Sequence, residues 1–423
     1  MTWRPLPILL MLLLLSVTIA CGEQPGLVSE ETPEVLSGAA VLASNDYAPL
    51  HGKRVGLIGN HTSLAGDTHL IDLLAEHQEV ELVALFGPEH GLRGTADAGA
   101  EIEDAEDPET GIPIYSLYGE TRRPTPDMLE DVDALIFDMQ DVGARFYTFI
   151  STMGLAMQSA AEAGIPFYVL DRPNPLGGIY MSGFVLEENQ QSFVGQYPIP
   201  TVHGMTIGEL ALMIRGEEWL DDVAGVDLHV IELEGWSREM QWEALSEPWV
   251  APSPNIPDFE TALLYPGTCL IEATSASEGR GTDAPFRLIG HPNADADSLA
   301  HALRARELFG VKIEAATFTP ESRPGATSPK HEGTTVHGIR VSVTDSELVD
   351  PVVFGVHLLD VMIDQLGEEV IDQPSWLDRL AGTSRLREML IERLPPEEII
   401  DAWIEEVEAF TVHRAPYLLY TIE

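Results

Sequence analysis

The chain is poor in cysteine, in lysine and in positive charge of any kind. Two cysteines in 423 residues exclude a disulfide-stapled scaffold. Three lysines against twenty arginines leave cationic chemistry almost wholly to guanidinium groups. The 23 Lys+Arg face 69 Asp+Glu, for a formal net charge of −46. Such a surface repels phosphate, which argues against a nucleic-acid partner; an anionic ligand needs a local cluster of arginines. There is no Walker A loop and no His-Glu-x-x-His motif. Val55-Gly56-Leu57-Ile58-Gly59-Asn60 spaces its glycines as Gly-x-x-Gly, so the dinucleotide fingerprint is missing too. No cofactor is expected. The histidines between Asn60 and His77 lack metal-ligand spacing, and no metal site is expected. A Gly-x-Ser-x-Gly elbow and a Cys–His pair are also lacking, against amide or ester chemistry.

What is present is an ordinary folding chain. Hydrophobic residues make up 44%, enough for two or three domains with cores of their own. Met1–Ala20 reads as a secretory signal: Arg4, then an apolar run over 6–19 that is short for a bilayer span. Ala20-Cys21-Gly22 resembles a lipobox, with Thr18 where leucine is usual. Cleavage there would leave Cys21 lipidated and Cys269 without an intrachain partner. Residues 21–44 read as a tether, so the membrane is reached only through an N-terminal lipid, in an exported, periplasmic or surface protein.

Beyond residue 45 strand and helix patterns alternate. Strands are expected at Arg54–Ile58, Glu81–Phe86, Asp133–Phe137 and Ile165–Leu170. Helices are expected at 68–78, at 151–163 with Ser151 as N-cap and Gly164 as stop, and after the capping box Thr206-Ile207-Gly208-Glu209. This order predicts an α/β fold: a Rossmann-like, doubly wound, mainly parallel sheet over 45–225. A second, smaller α/β domain over 226–423 follows, with strands at 226–233, 311–318 and 339–343 and long helices at 352–366 and 396–410.

Open α/β sheets bind ligands where the carboxyl ends of their strands meet loops. Three strands here end in polar clusters: Gly87-Pro88-Glu89-His90-Gly91, Asp138-Met139-Gln140-Asp141-Val142-Gly143-Ala144-Arg145-Phe146-Tyr147 and Asp171-Arg172-Pro173-Asn174-Pro175. Glu89, between proline and His-Gly, is neither a good cap nor a good turn-former. The second half adds Trp249–Pro257, Tyr265–Glu272 and Ser277-Glu278-Gly279-Arg280-Gly281-Thr282-Asp283. Asp171–Pro175 also reads as a turn with an internal Asp–Arg pair, Asp138 or Asp141 as a helix cap or loop support, and the Gly-Arg-Gly segment as a surface loop; His203 reads as a ligand contact or, more commonly, a satisfied loop histidine. Carboxylates, arginines and aromatics together suit a polar, anionic small molecule such as an acidic sugar.

Eight segments in this order resemble one bacterial family, the exo-β-N-acetylmuramidases, formerly a family of unknown function. They are Gly56–Thr62, Phe86–Gly91, Gln140–Thr148, Leu170–Pro175, His203–Thr206, Pro252–Asn255, Tyr265–Thr268 and Ser277–Thr282, within about residues 45–420. The resemblance implies a site in the cleft between the two domains. It implies release of N-acetylmuramic acid from the non-reducing end of peptidoglycan fragments, with muropeptides as partners. Glycoside hydrolysis then needs a protonated carboxyl and a second group that attacks or stabilises the oxocarbenium ion. Glu89 is the expected acid. The second group is Asp138, Asp141, Glu278 or Asp283, unless the substrate's 2-acetamido group itself attacks. Arg145, Arg172 or Arg280 would read the lactyl carboxylate. Asn60, His90, Tyr147, Asp171, Asn174, His203 and Asn255 complete the expected substrate contacts. The alternative is a muropeptide-binding lipoprotein without catalysis.

Overall fold

The computed structural model describes residues 35–88, 92, 105–119 and 121–422. Short apolar runs capped by glycine and polar residues build the large sheet. Its strands are β1 (Lys53–Gly59), β4 (Val80–Gly87), β5 (Ala105–Glu106), β6 (Pro113–Ser116), β7 (Ala134–Asp138), β8 (Phe167–Leu170) and β9 (Leu228–Ile231); β2 (Leu64–Ala65) and β3 (Thr68–His69) form a separate hairpin. The order is β5-β6-β4-β1-β7-β8-β9, parallel except for β5 at one edge. Strands added after β1 go to one side and those from β7 onward to the other. The switch in order therefore falls between β1 and β7. Leu228–Ile231, placed by the sequence pattern in the second domain, instead completes this sheet beside β8.

The sheet is buried on both faces, as parallel sheets must be. Val55 and Leu57 pack towards α1 (Gly38–Ser44) and α2 (Leu70–Glu76). Ile58, Phe86, Phe137 and Val169 pack towards α3 (Phe149–Ala163) and α4 (Ile207–Gly216). The expected capping box opens α4: the Thr206 hydroxyl accepts from Glu209 N–H while the Glu209 carboxylate accepts from Thr206 N–H. Gly164 stops α3 in the left-handed region at φ 68°. Ser151 is not the cap of α3. The helix starts a turn earlier, after Thr148, because Phe149 and Ile150 are buried on its first turn.

The second domain is a three-stranded antiparallel sheet, β10 (Leu288–His291), β12 (Val336–Val343) and β11 (Val311–Phe318), in that spatial order. It packs against α6 (Ala296–Arg304) and α7 (Pro351–Leu366). Between the sheets lies α5 (Phe259–Thr268). Tyr265-Pro266-Gly267 is helical, and Pro266 sits in the last turn of α5. A Cβ on Gly267 would come within 1.7 Å of the Pro351 carbonyl oxygen, and one on Gly355 within 2.6 Å of the Gly267 carbonyl oxygen. Two glycines thus let α5 and α7 touch backbone to backbone. The core on the α3/α4 side of the large sheet continues through α5 and α7 to β12 without a break. The helix expected over 396–410 is interrupted: Pro396–Asp401 and Ile404–Arg414 are separate, with Trp403 buried at the join. Among the described residues no helix is long and apolar enough to cross a membrane.

Candidate active site

The carboxyl ends of β1 and β7 meet at the switch point. Asp138, the last residue of β7, is fully buried, and both of its oxygens are taken by Arg172: Nε to Oδ1 at 2.6 Å and Nη2 to Oδ2 at 3.0 Å. Such a forked pair is strong and rigid. Arg172 also donates to the Leu64 carbonyl. Asn60 uses Oδ1 to accept from the Thr62 N–H and hydroxyl, so it shapes its own turn, and its Nδ2 is buried with no partner among the described residues. The Thr62 hydroxyl in turn accepts from Gln140 N–H, which joins the two strand ends. A cavity of about 180 Å³ opens here, lined by Thr62, Gln140, Arg172, Trp242 and Glu247. Glu247 was not singled out from the sequence. Burial raises its pKa against the pull of Arg172.

The loop after β7 folds inward rather than toward solvent. Asp141 accepts from Gly143 N–H at 2.7 Å, and its other oxygen has no partner among the described residues. His203 Nε2 lies 3.8 Å from Asp141 Oδ2, too far for a hydrogen bond. Burial pushes Asp141 up to about 7. Burial, then Arg414 and Arg145, push His203 down to about 3. Near neutral pH His203 is therefore uncharged, while Asp141 is close to its midpoint. Arg145 is a strut and not a ligand reader. Its guanidinium donates to the carbonyls of Phe184, Ile199 and Leu380, the last in helix α8 (Pro374–Ala381), and burial lowers its pKa to about 9.

Asp171 and Asn174 are likewise internal. Asp171 accepts from Gly208 N–H and Arg172 N–H on one oxygen and from the Thr206 and Tyr420 hydroxyls on the other. It locks β8 to the start of α4 and to the C-terminal tail. Burial raises it to about 7 against the donors Tyr420, Gly208 and Thr206. Asn174 donates to the Met205 carbonyl and accepts from Leu176 N–H. These two and Arg145 were expected to touch substrate; each has its polar atoms turned into the fold instead.

The larger cavity, about 370 Å³, lies between the domains and falls in the range of small-molecule sites. One wall comes from the large sheet's loops: Tyr118, Phe146, Tyr147 and Thr148. The other comes from the second domain and its approach: Ser253, Asn255, Tyr265, Glu272, Arg280, Phe286 and Trp376. Tyr147 and Tyr265 meet edge to face, with centroids 6.2 Å apart. Asn255 keeps its place by donating to the Gly325 carbonyl.

Arg280 is held between Gly279 (φ 86°) and Gly281 (φ 78°). A Cβ on Gly279 would meet the Leu288 carbonyl oxygen at 2.4 Å, so only glycine fits. The guanidinium lies 4.9 Å from the Phe286 ring centre. Its ion pairs are all made by Nη1, to Glu272 at 2.7 Å and Glu278 at 3.5 Å; Nη2 has no partner among the described residues. Glu272 closes the Tyr265–Glu272 cluster but had no role assigned from the sequence, because it lies within a short 3-10 turn, Cys269–Ala273, that no spacing rule marks. Glu278 is buried between Arg280 and Lys330. Asp283 is exposed, its carboxylate paired at 3.4 Å with Arg340 on the surface, so it does not reach the cavity.

Segment 246–256 runs between the two cavities, giving Ser246–Pro248 and Val250 to the smaller and Ser253, Asn255 and Ile256 to the larger. Glu89, His90, Cys21 and the 1–20 leader lie outside the described residues. The chain leaves β4 at Gly87 and Pro88 on the same carboxyl edge. Among the described residues one metal-type cluster occurs: Asp46, His51 and His77 bring ligand atoms within 4.8 Å of one another. It precedes β1 and β4, at the amino edge of the sheet, away from both cavities.

Fold and site together define a two-domain α/β protein with an aromatic-walled, guanidinium-bearing cavity at the carboxyl edge of its sheet. Residues 55–260 match the N-terminal domain, and 263–420 the C-terminal domain, of the exo-β-N-acetylmuramidase NamZ family. The chain belongs to this family of glycoside hydrolases. It is 44% identical over 394 residues to the peptidoglycan β-N-acetylmuramidase NamZ of Bacillus subtilis strain 168, with 92% of each chain covered. Two crystal structures of DUF1343 family proteins from Bacteroides fragilis NCTC 9343 share the fold. One has a TM-score of 0.83 at 36% identity, covering 92% of this chain and 99% of that one. The other has 0.77 at 35% identity, covering 92% and 100%.

Proposed function

We propose that the chain is an exo-acting hydrolase that removes N-acetylmuramic acid from the non-reducing end of peptidoglycan fragments, with Glu89 as general acid. The observation that carries this reading is the interdomain cavity: aromatic walls for the faces of one sugar ring, and an arginine with an uncommitted Nη2 for an acidic substituent. The relative of Bacillus subtilis, by its name, acts on the same linkage. Glu89 follows the last residue of β4 by two positions in the sequence. A carboxyl shielded from water by bound sugar would hold its proton until the leaving alkoxide takes it.

The second carboxylate can be narrowed. Asp138 is neutralised on both oxygens, Asp283 is on the surface and Glu278 is enclosed. Asp141 lies off both cavity walls. Glu272 is the carboxylate on the larger wall, and the substrate's 2-acetamido group is the other candidate. Arg280, rather than Arg145 or Arg172, is the reader of the lactyl carboxylate. We further place the protein outside the cytoplasm, released from its leader before Cys21 and held by a lipid on that residue.

The test is release of free N-acetylmuramic acid from a muramic-acid-terminated disaccharide and from a chromogenic muramic glycoside. Glu89→Gln should fold normally and lose activity by orders of magnitude. Near-normal turnover in that variant would remove Glu89 from the mechanism; binding of the disaccharide with no turnover by the native chain would make the protein a receptor instead.

A further inference from the structure

Lysine is almost absent from this chain, yet one of the three is placed where a bound cation would be. The Lys330 ammonium donates to four main-chain carbonyls: Ile271 at 3.2 Å, Glu272 at 2.9 Å, Thr274 at 2.7 Å and Ala276 at 3.2 Å. Glu278 Oε2 lies 3.4 Å away as a fifth oxygen. An ammonium has three N–H groups to offer five oxygens, so the attraction is shared and electrostatic rather than a set of separate linear bonds. Converging carbonyls of this kind are what strip and hold a potassium ion. By contrast, Lys312 sits 59% exposed on β11 beside Glu314.

The carbonyls belong to the segment that carries Glu272 and leads into Arg280. Lys330 itself belongs to the segment whose residues 325–327 line the same cavity. His331 adds a contact to the Ser275 carbonyl at 2.6 Å, and Glu321 N–H donates to the Gly281 carbonyl at 3.0 Å. Two segments, one a short 3-10 turn running into a loop and the other a loop, each forming part of one cavity wall, therefore share a single positive charge at their seam. Without it, four carbonyl dipoles and the Glu278 carboxylate would point at one another with nothing between them, and the loop would relax outward.

We propose that Lys330 is a positioning residue: a built-in monovalent cation whose charge, rather than whose carbon stem, fixes Glu272 and Arg280 in the cavity wall. The consequence for catalysis rests on the reading of the larger cavity as the sugar site, but the cage itself does not. The Lys330 side chain is 28% exposed, so removing it opens a route from solvent to the cage.

The experiment compares Lys330→Ala, Lys330→Met and the native chain in chlorides of tetramethylammonium, potassium and ammonium at one ionic strength. Both kcat/KM on a chromogenic muramic glycoside and Tm are read. In tetramethylammonium, Lys330→Ala should lose about 10²-fold in kcat/KM, the scale expected when a reacting group is displaced by about 1 Å. Potassium or ammonium should restore at least about tenfold of that and raise Tm. Lys330→Met, which fills the space without charge, should lose activity and not be rescued. The native chain and Lys312→Ala should ignore the choice of cation. If Lys330→Ala folds only in potassium or ammonium, that dependence is itself the supporting result. Near-native activity of Lys330→Ala in tetramethylammonium would overturn the proposal, as would equal Tm and equal activity in all three salts. Native chain inactive on the glycoside would sink the sugar reading, while the Tm comparison would still decide the cage.

Discussion

Two arginine–carboxylate pairs sit about the same segment, and they have opposite characters. At the switch point Arg172 forks onto Asp138 and engages both carboxylate oxygens, and only its Nη1 makes no hydrogen bond to a described residue. At the interdomain wall Arg280 meets Glu272 with Nη1 at 2.7 Å, stands over Phe286 and makes no hydrogen bond with Nη2 to a described residue. The residue types are alike; what differs is how fully the partner carboxylate is engaged. A saturated pair holds the scaffold, whereas an unsaturated one at a cavity can exchange a partner for a ligand. Under the proposed reading the charged contact to substrate falls to the second domain, while the large sheet supplies rigid strand ends and one aromatic wall.

The sharpest test of this contrast is Arg172→Ala. It strands a buried Asp138 charge and should cost about 3–5 kcal/mol of stability, read as a lower denaturant midpoint. A neutral result would mean that Asp138 is not held as a charge. Arg280→Ala unpairs Glu272 and the buried Glu278, so it should lower the midpoint by less than Arg172→Ala, since Lys330 still faces Glu278, and lose about 10–100-fold of the preference for a muramic over an N-acetylglucosamine glycoside, the worth of a hydrogen bond between charged groups. An unchanged preference would move the reader elsewhere.

A smaller effect is expected at Asp141. Folded, it keeps its proton up to about pH 7; unfolded, it releases it near 3.8. Between these values the folded state binds the extra proton, so this group's contribution to stability falls as pH rises and levels off above about 7. Asp141→Asn should therefore gain Tm relative to the native chain from pH 4 to 7, with a constant difference above. His203, depressed to about 3, works the opposite way over part of this window, and the comparison with the native chain cancels it. A difference independent of pH would show that Asp141 ionises in the fold. Least of all, Asp283→Asn should change stability by under about 0.5 kcal/mol and leave turnover alone, as for a surface pair.

Much of the architecture was legible because period and punctuation agree. Apolar runs over 54–58, 81–86 and 133–137 end in glycine or polar residues and lie within a residue or two of β1, β4 and β7. The Thr206–Glu209 box marks α4 at its first turn. The family was legible in part for the same reason, since four of its eight segments lie at the ends of β1, β4, β7 and β8 in order. The site was less so. Sequence shows that Asp171, Arg145 and Asn174 follow strands, but not that Tyr420, Leu380 and Met205 reach back to occupy them. Nor does it show that Lys330 and Glu272, far apart in the chain, meet through a main-chain carbonyl. Saturation of a polar group is a property of the closed fold, and no local pattern encodes it.

The hydroxyl of Tyr420, on Asp171 at 2.5 Å and on Leu233 N–H at 2.9 Å, has a consequence for biogenesis. Asp171 directly follows β8, yet one of its donors stands 249 residues further along the chain. A nascent chain can assemble the strand early but cannot complete the donor set of this buried acid until residue 420 has left the ribosome. A chain truncated before Tyr420 would leave that acid one donor short.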